Sequence, residues 1–163
     1  MKTNLLLIMA FFLVMAGPAS ALSVKVGEES PSIEVKTIDN RTIRSDEIKG
    51  KKPLFLIFWA TWCSACKEEI PKLNEIYSAF EPKGLELLAI NVGINDSLAR
   101  VKRYIKKYKI TYPVAFEGGK QATKLFGVQG TPTIIIVDRQ GIVRYRSASV
   151  PDDLDEHFQE LIK

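Results

Sequence analysis

The sequence predicts an α/β protein in which helices cover both faces of a central mixed sheet. Three observations lead there. Leu54–Trp59 is a continuous apolar run, the pattern of a strand buried on both faces, and Leu85–Val92 reads as another buried strand. Between and after them the apolar period becomes helical, first from Cys63 to Phe80 and then around Val101–Tyr108. The β-branched run Thr133–Val137 is followed by a turn, a short strand and a last helical pattern. Strands thus alternate with helices first, and the chain ends in a hairpin and a helix.

The elements follow in order. Ile33–Thr37 alternates like a strand, and Asp39-Asn40 turns the chain into Thr42-Ile43. Ser45 is placed to cap a short helical turn ending at Gly50. After the first buried strand, Cys66, Ile70, Leu73, Tyr77 and Phe80 share one helical stripe. Pro71 lies inside that pattern; it cannot donate to the carbonyl of Lys67 and is expected to kink the axis. Asn95 or Asp96 is expected to cap the next helix, whose apolar face is Val101, Tyr104, Ile105 and Tyr108. Tyr112–Phe116 reads as a strand, and Lys120–Phe126 as a short helix closed by Gly127. Asp138-Arg139-Gln140-Gly141 turns Thr133–Val137 into a strand at Ile142–Arg146. Pro151 opens the last helix, with Asp152 and Asp153 at its positive end and Leu154, Phe158, Leu161 and Ile162 on its buried face.

The chain has 163 residues, of which 46% are hydrophobic and 26% charged, enough for one domain with a substantial core. A net charge of +4 suits a soluble protein and gives no reason to expect nucleic-acid binding. The start of the chain stands apart. Lys2 precedes the apolar run Leu5–Ala16, Gly17-Pro18 breaks it, and Ala19-Ser20-Ala21 supplies the small residues a signal peptidase reads. Residues 1–21 are read as an export signal, with an uncleaved anchor as the alternative, and 22–163 as the domain. No cysteine stands at the cleavage site to take a lipid.

Both cysteines of the chain, Cys63 and Cys66, fall two residues apart in Trp62-Cys63-Ser64-Ala65-Cys66. In an exported protein structural disulfides are common, but a staple gains most by closing a long loop, and this pair closes almost none. The spacing therefore points to thiol chemistry. At a helix start, unpaired N–H groups and the helix dipole favour the thiolate of Cys63. Cys66, one turn deeper, is expected to be more buried and less acidic. Cys63 then attacks a client disulfide, and Cys66 resolves the mixed disulfide. Glu69 lies about 60° around the helix from Cys66, against about 160° for Glu68, so Glu69 borders the apolar stripe and is the candidate for proton exchange with Cys66. A carboxylate turned to water is the plainer reading of the same residue. Gly130-Thr131-Pro132, directly before a strand, is a candidate cis peptide or a trans proline that blunts the strand end.

At these residues the chain resembles the thioredoxin superfamily, and within it the exported TlpA/ResA-like thiol–disulfide oxidoreductases. Phe58-Trp59-Ala60-Thr61-Trp62-Cys63-Ser64-Ala65-Cys66 is similar to their active-site block, Glu69-Ile70-Pro71 to the Glu-x-Pro after it, and Gly130-Thr131-Pro132-Thr133 to their cis-proline loop. The resemblance implies a thioredoxin-like fold with an N-terminal β extension and a helix–strand insert between Val92 and Pro132. It also implies Cys63 as nucleophile, Cys66 as resolving thiol and Glu69 as the functional carboxylate. Pro132 would be cis and lie against the disulfide, the Thr131 backbone would pair with a bound substrate strand, and Trp62 would flank the nucleophile. Clients would be disulfide-containing proteins, apocytochromes c among them. The electron source would be a membrane thiol reductant of the CcdA/DsbD type, and the site would lie in the bacterial periplasm or on the outer face of the cytoplasmic membrane. The protein is expected to be a monomer without a cofactor or metal. Two departures stand out. Ser64-Ala65 lacks the proline usual before the second cysteine, and Ile57 stands where ordinary thioredoxins bury an aspartate.

Other readings fit less well. His157 is the only histidine and all three methionines fall in residues 1–21, so a copper or zinc module lacks ligands. Lys67 follows Cys66, where covalent haem attachment needs histidine. A peroxidatic cysteine needs threonine three residues before it, a position held here by Ala60. A general disulfide reductase, isomerase or oxidase remains the alternative, because tens of millivolts decide direction. The cations Lys102, Arg103, Lys106, Lys107 and Lys109 are read first as a solvated face and second as a docking face for an acidic partner.

Overall fold

The computed structural model describes residues 23–161; the segment read as an export signal, and Ile162, lie outside the described residues. The central sheet has five strands in the order β5 (Val114–Phe116), β4 (Glu86–Asn91), β3 (Leu54–Trp59), β6 (Thr133–Val137) and β7 (Val143–Ser147). β3 runs parallel to β4 and antiparallel to β6, so the sheet is mixed. All six side chains of β3 are buried, which requires a strand on each edge and cover on each face.

The helices provide that cover. Phe58 and Trp59 point to opposite faces because successive strand residues alternate. Phe58 meets Phe126, just past α5 (Gln121–Leu125), with ring centroids 5.5 Å apart. Trp59 meets Tyr104 of α4 (Leu98–Tyr108) at 5.4 Å. α3 (Ile70–Phe80) joins α4 through Asn74, which binds the Lys109 carbonyl and the Thr111 N–H and hydroxyl. It joins α6 (Leu154–Leu161) through Phe80 and Phe158, 4.3 Å apart. The expected N-terminal extension is a hairpin of β1 (Glu34–Lys36) and β2 (Thr42–Arg44), which continues the β5 edge through the Ile38 N–H to Val114 C=O bond. Residues 27–30 cover the other edge, bonding to Gly141 and Val143. The expected insert is α4 with β5.

Besides shifts of one or two residues at several element ends, four boundaries differ from expectation. Ser45 does not cap α1 (Ser45–Ile48); its hydroxyl accepts the Ile33 N–H and ties that helix to the strand before it. Neither Asn95 nor Asp96 caps α4. Ser97 does, accepting the Arg100 N–H, because the Asp96 carboxylate is engaged elsewhere. The last helix begins at Leu154 and not at Pro151, and Asp152 is drawn into an ion pair with Lys72 of α3 at 2.5 Å. Leu154 and Phe158 are buried as expected, while the side chains of His157 and Leu161 are outside the described set. Finally, Pro71 does more than bend its helix. The stretch divides at Glu69 into α2 (Ser64–Glu68) and α3, with Pro71 in the first turn of α3, where its missing N–H costs nothing.

Gly93 follows β4 with φ +67°, and a Cβ there would stand 2.5 Å from the Glu117 carbonyl oxygen. Gly93→Ala is expected to lower stability by at least about 1–2 kcal/mol from the left-handed backbone alone, read as a shift in the urea midpoint. An unchanged midpoint would mean the two backbones do not approach this closely in solution.

Candidate active site

The register of β3 collects the site. Trp59 pairs with Asn91 at the end of β4, and Phe58 pairs with Thr133 at the start of β6. The segment after Trp59, the loop after Asn91 and the Gly130–Pro132 loop therefore emerge at one end of the sheet. Ala60 is fully buried, and the Cys63 N–H closes a turn onto its carbonyl at 3.2 Å. Cys63 is the N-cap of α2, and its Sγ accepts the Cys66 N–H at 3.1 Å. The expectation that helix N–H groups face this sulfur is met by that one donor.

Cys63 and Cys66 form a disulfide with Cα atoms 5.3 Å apart. Both residues are buried, 7% and 5% exposed, so Cys66 is not markedly deeper as expected; the bond holds both sulfurs in one small ring. Beside them Trp62 is 54% exposed, with its indole N–H donating to the Ile94 carbonyl at 2.7 Å. Glu69 is half-buried at the junction of α2 and α3. Its backbone is occupied, the N–H by Ala65 and the C=O by the Leu73 N–H, while its carboxylate has no hydrogen bond or ion pair among the described residues. The Thr131–Pro132 peptide is cis, and Pro132 is buried. Thr131 keeps its hydroxyl buried without a partner, and its N–H and C=O take none among the described residues.

Sequence reasoning missed Asp96. Its side chain is fully buried, yet it accepts three hydrogen bonds: the Thr61 N–H and the Thr61 hydroxyl at 2.8 Å each, and the Asn91 amide at 2.9 Å. The Arg100 guanidinium lies 3.9 Å away. These bonds tie the loop after β4 to the residues directly before Cys63, and they direct the Thr61 hydroxyl to Asp96. The pattern that suggested a helix cap, an acid just before an amphipathic run, is the same signal; only the distance to Thr61 separates the two uses. Close by, Trp59 Nε1 and the Tyr104 hydroxyl are buried without partners. Burial first, then Tyr108 and Asp96, push the Tyr104 phenol above its ordinary value, so it stays neutral. Among the described residues no group of three or more His, Cys, Asp or Glu could hold a metal.

A redox-capable cysteine pair set behind the central strand of this fold belongs to the class of thiol–disulfide oxidoreductases. Residues 26–146 match the AhpC/TSA family. The chain is 31% identical over 140 residues to the thiol-disulfide oxidoreductase ResA of Bacillus thuringiensis subsp. konkukian, covering 85% of this chain and 79% of that one. It is 29% identical over 142 residues to the ResA protein of Bacillus subtilis, covering 86% and 78%. The crystal structure of a thiol:disulfide interchange protein of the thioredoxin family from Chlorobium tepidum superposes with a TM-score of 0.70 at 27% identity, covering 88% of this chain and 99% of that one. The chain belongs to the AhpC/TSA family of thioredoxin-like proteins and stands with its ResA-like thiol–disulfide oxidoreductases.

Asp96→Ala would leave the Thr61 N–H and hydroxyl and the Asn91 amide without their acceptor. The expected loss is about 2–4 kcal/mol of stability, with a change in the fluorescence of Trp62. A loss under about 1 kcal/mol with unchanged fluorescence would show that the carboxylate does not hold this loop.

Proposed function

We propose that this protein is exported and reduces disulfides in client proteins through a Cys63/Cys66 cycle. The observation that carries the reading is the disulfide between the only two cysteines of the chain, at a helix start where the Cys66 N–H faces the Cys63 sulfur. In the reduced protein the Cys63 thiolate attacks one sulfur of a client disulfide. The new bond joins Cys63 to the client, and the client's other sulfur leaves as a thiolate and takes a proton. Cys66 loses its proton and attacks the Cys63 sulfur. The Cys63–Cys66 bond forms, the mixed disulfide breaks, and the second client sulfur leaves as a thiolate. Two electrons have passed to the client, and the enzyme is left in the oxidised form described above.

Glu69 is the group we assign to the Cys66 proton. Its support is a half-buried carboxylate with no other partner among the described residues, one turn from Cys66. Thr131 is assigned the client strand, for which its N–H and C=O have no partner among the described residues, and Pro132 the facing wall of the site. Trp62, half exposed and braced by Ile94, would lie along the incoming segment. Residues 1–21 would carry the domain to the periplasm or the outer face of the cytoplasmic membrane, where a membrane dithiol carrier of the CcdA/DsbD type would reduce the pair again. Apocytochromes c are the client class we propose.

A reducing role calls for a potential near or below about −270 mV, that of thioredoxin; a value near about −120 mV, that of strong periplasmic oxidants, would reverse the direction. Cys66→Ala is expected to accumulate a mixed disulfide through Cys63, visible on a non-reducing gel and lost in the Cys63→Ser, Cys66→Ala double variant. Glu69→Gln is expected to slow insulin reduction by about tenfold or more and to move the titration of Cys66. If both stay as in the unmodified protein, the proton role is wrong.

A further inference from the structure

We infer that the outer face of α4 is an electrostatic docking site for acidic protein segments next to the disulfide being reduced. The inference rests on the reductase reading above and adds a selection rule to it. From Leu98 to Lys109 the chain carries six cations, Arg100, Lys102, Arg103, Lys106, Lys107 and Lys109, and no acid. These six exceed the +4 of the whole chain, so the remainder is net acidic. Charge this concentrated on one helix is not balanced within the fold. Arg100 stands 3.9 Å from Asp96, and the other five have no carboxylate within ion-pair distance among the described residues.

The position of the helix gives this charge a use. Its buried side meets the active-site end of β3 through Tyr104 and Trp59. Tyr108, one turn on, has two ammonium groups over its ring: Lys107 from α4 and Lys67 from the residue after Cys66, each 5.3 Å from the centroid. Positive charge therefore runs from the helix directly to the residue beside the redox pair. By helical spacing Arg100, Arg103 and Lys107 form one row of about 10 Å on the edge next to Tyr104, and all three are exposed. Arg100 also holds the start of the row to the site by donating to the Asn95 carbonyl, in the loop that braces Trp62. An acidic segment on this row would lie beside a neighbouring cystine at Cys63. Like charges along one helix repel, so the complementary occupant is anionic, and the exposed side chains of Trp62 and Ile94 at the end of the row favour a polypeptide with apolar residues.

The test compares reduced protein acting on three disulfides: a cystine peptide with acidic flanks, the same peptide with basic flanks, and neutral hydroxyethyl disulfide. At low salt the acidic peptide is expected to react about tenfold or more faster than the basic one, and the difference should shrink as ionic strength rises. The Arg103→Gln, Lys106→Gln, Lys107→Gln variant should lose that preference and keep its rate on hydroxyethyl disulfide. Equal rates on the two peptides at low salt would overturn the inference while leaving the reductase reading intact, whereas no turnover of any of the three would overturn the reductase reading itself. Equal peptide rates together with salt-sensitive binding to phosphatidylglycerol vesicles, lost in the triple variant, would assign the face to a membrane instead and equally overturn the inference.

Discussion

Six consecutive buried side chains from Leu54 to Trp59 can be kept from water only if their strand has a neighbour on each edge and helices on each face. That constraint sets the rest of the molecule. It demands β4 and β6 as partners, in a register that brings Asn91 and Thr133 level with Trp59 and Phe58. It demands aromatic cover from Phe126 on one side and Tyr104 on the other. Because the chain leaves β3 straight into the turn that carries Cys63, the redox pair inherits the rigidity of the most buried strand. The cis-proline loop reaches the same end only because β6 runs against β3.

Beyond the sheet the forces change from apolar to polar. Ala60 and Thr61, directly after Trp59, have little side-chain bulk to bury, and their backbone groups need partners. Asp96 supplies the acceptor for the Thr61 N–H, and the Cys63 N–H takes the Ala60 carbonyl. A carboxylate taken fully out of water is costly unless its oxygens are satisfied, and three hydrogen bonds with Arg100 nearby meet that demand. The return is a fixed entry to the site, with Trp62 braced by the same loop through Ile94. The break at Glu69 belongs to the same economy of backbone bonds. Pro71 has no N–H for the Lys67 carbonyl, so the helix parts one residue after Glu68. Glu69 is left at the joint, its backbone bonded and its carboxylate available.

Aperiodic features and periodic ones differ in how far they could be read in advance. The buried strands were legible because β-branched and aromatic runs of that length have few other stable fates, and β3 and β6 begin and end where their apolar runs do. The amphipathic face of α4 was legible from its period, and its run of cations from composition. Helix caps were not. Ser45, Asn95, Asp96 and Ser97 are all competent capping residues, and which of them caps depends on what else lies within reach. Ser45 is claimed by Ile33 and Asp96 by Thr61, so Ser97 is left for α4. Likewise Asp152 carries the right charge for a helix start, yet Lys72, distant in sequence, takes it.

The sequence by itself determined that this is a mixed α/β protein with a single cysteine pair too close in the chain to serve as a staple, because hydrophobic period and residue spacing are local properties. Its motifs also sufficed to mark a thiol–disulfide oxidoreductase of thioredoxin-like fold. Only the tertiary structure decided that Thr131–Pro132 is cis, that Cys63 and Cys66 are almost equally buried, and that Asp96 serves the active-site loop and not a helix end. It alone brought the basic face of α4 up to Lys67 and the redox pair. Each of these depends on groups brought together from distant parts of the chain, and a polar side chain declares its role only when its partner is in place.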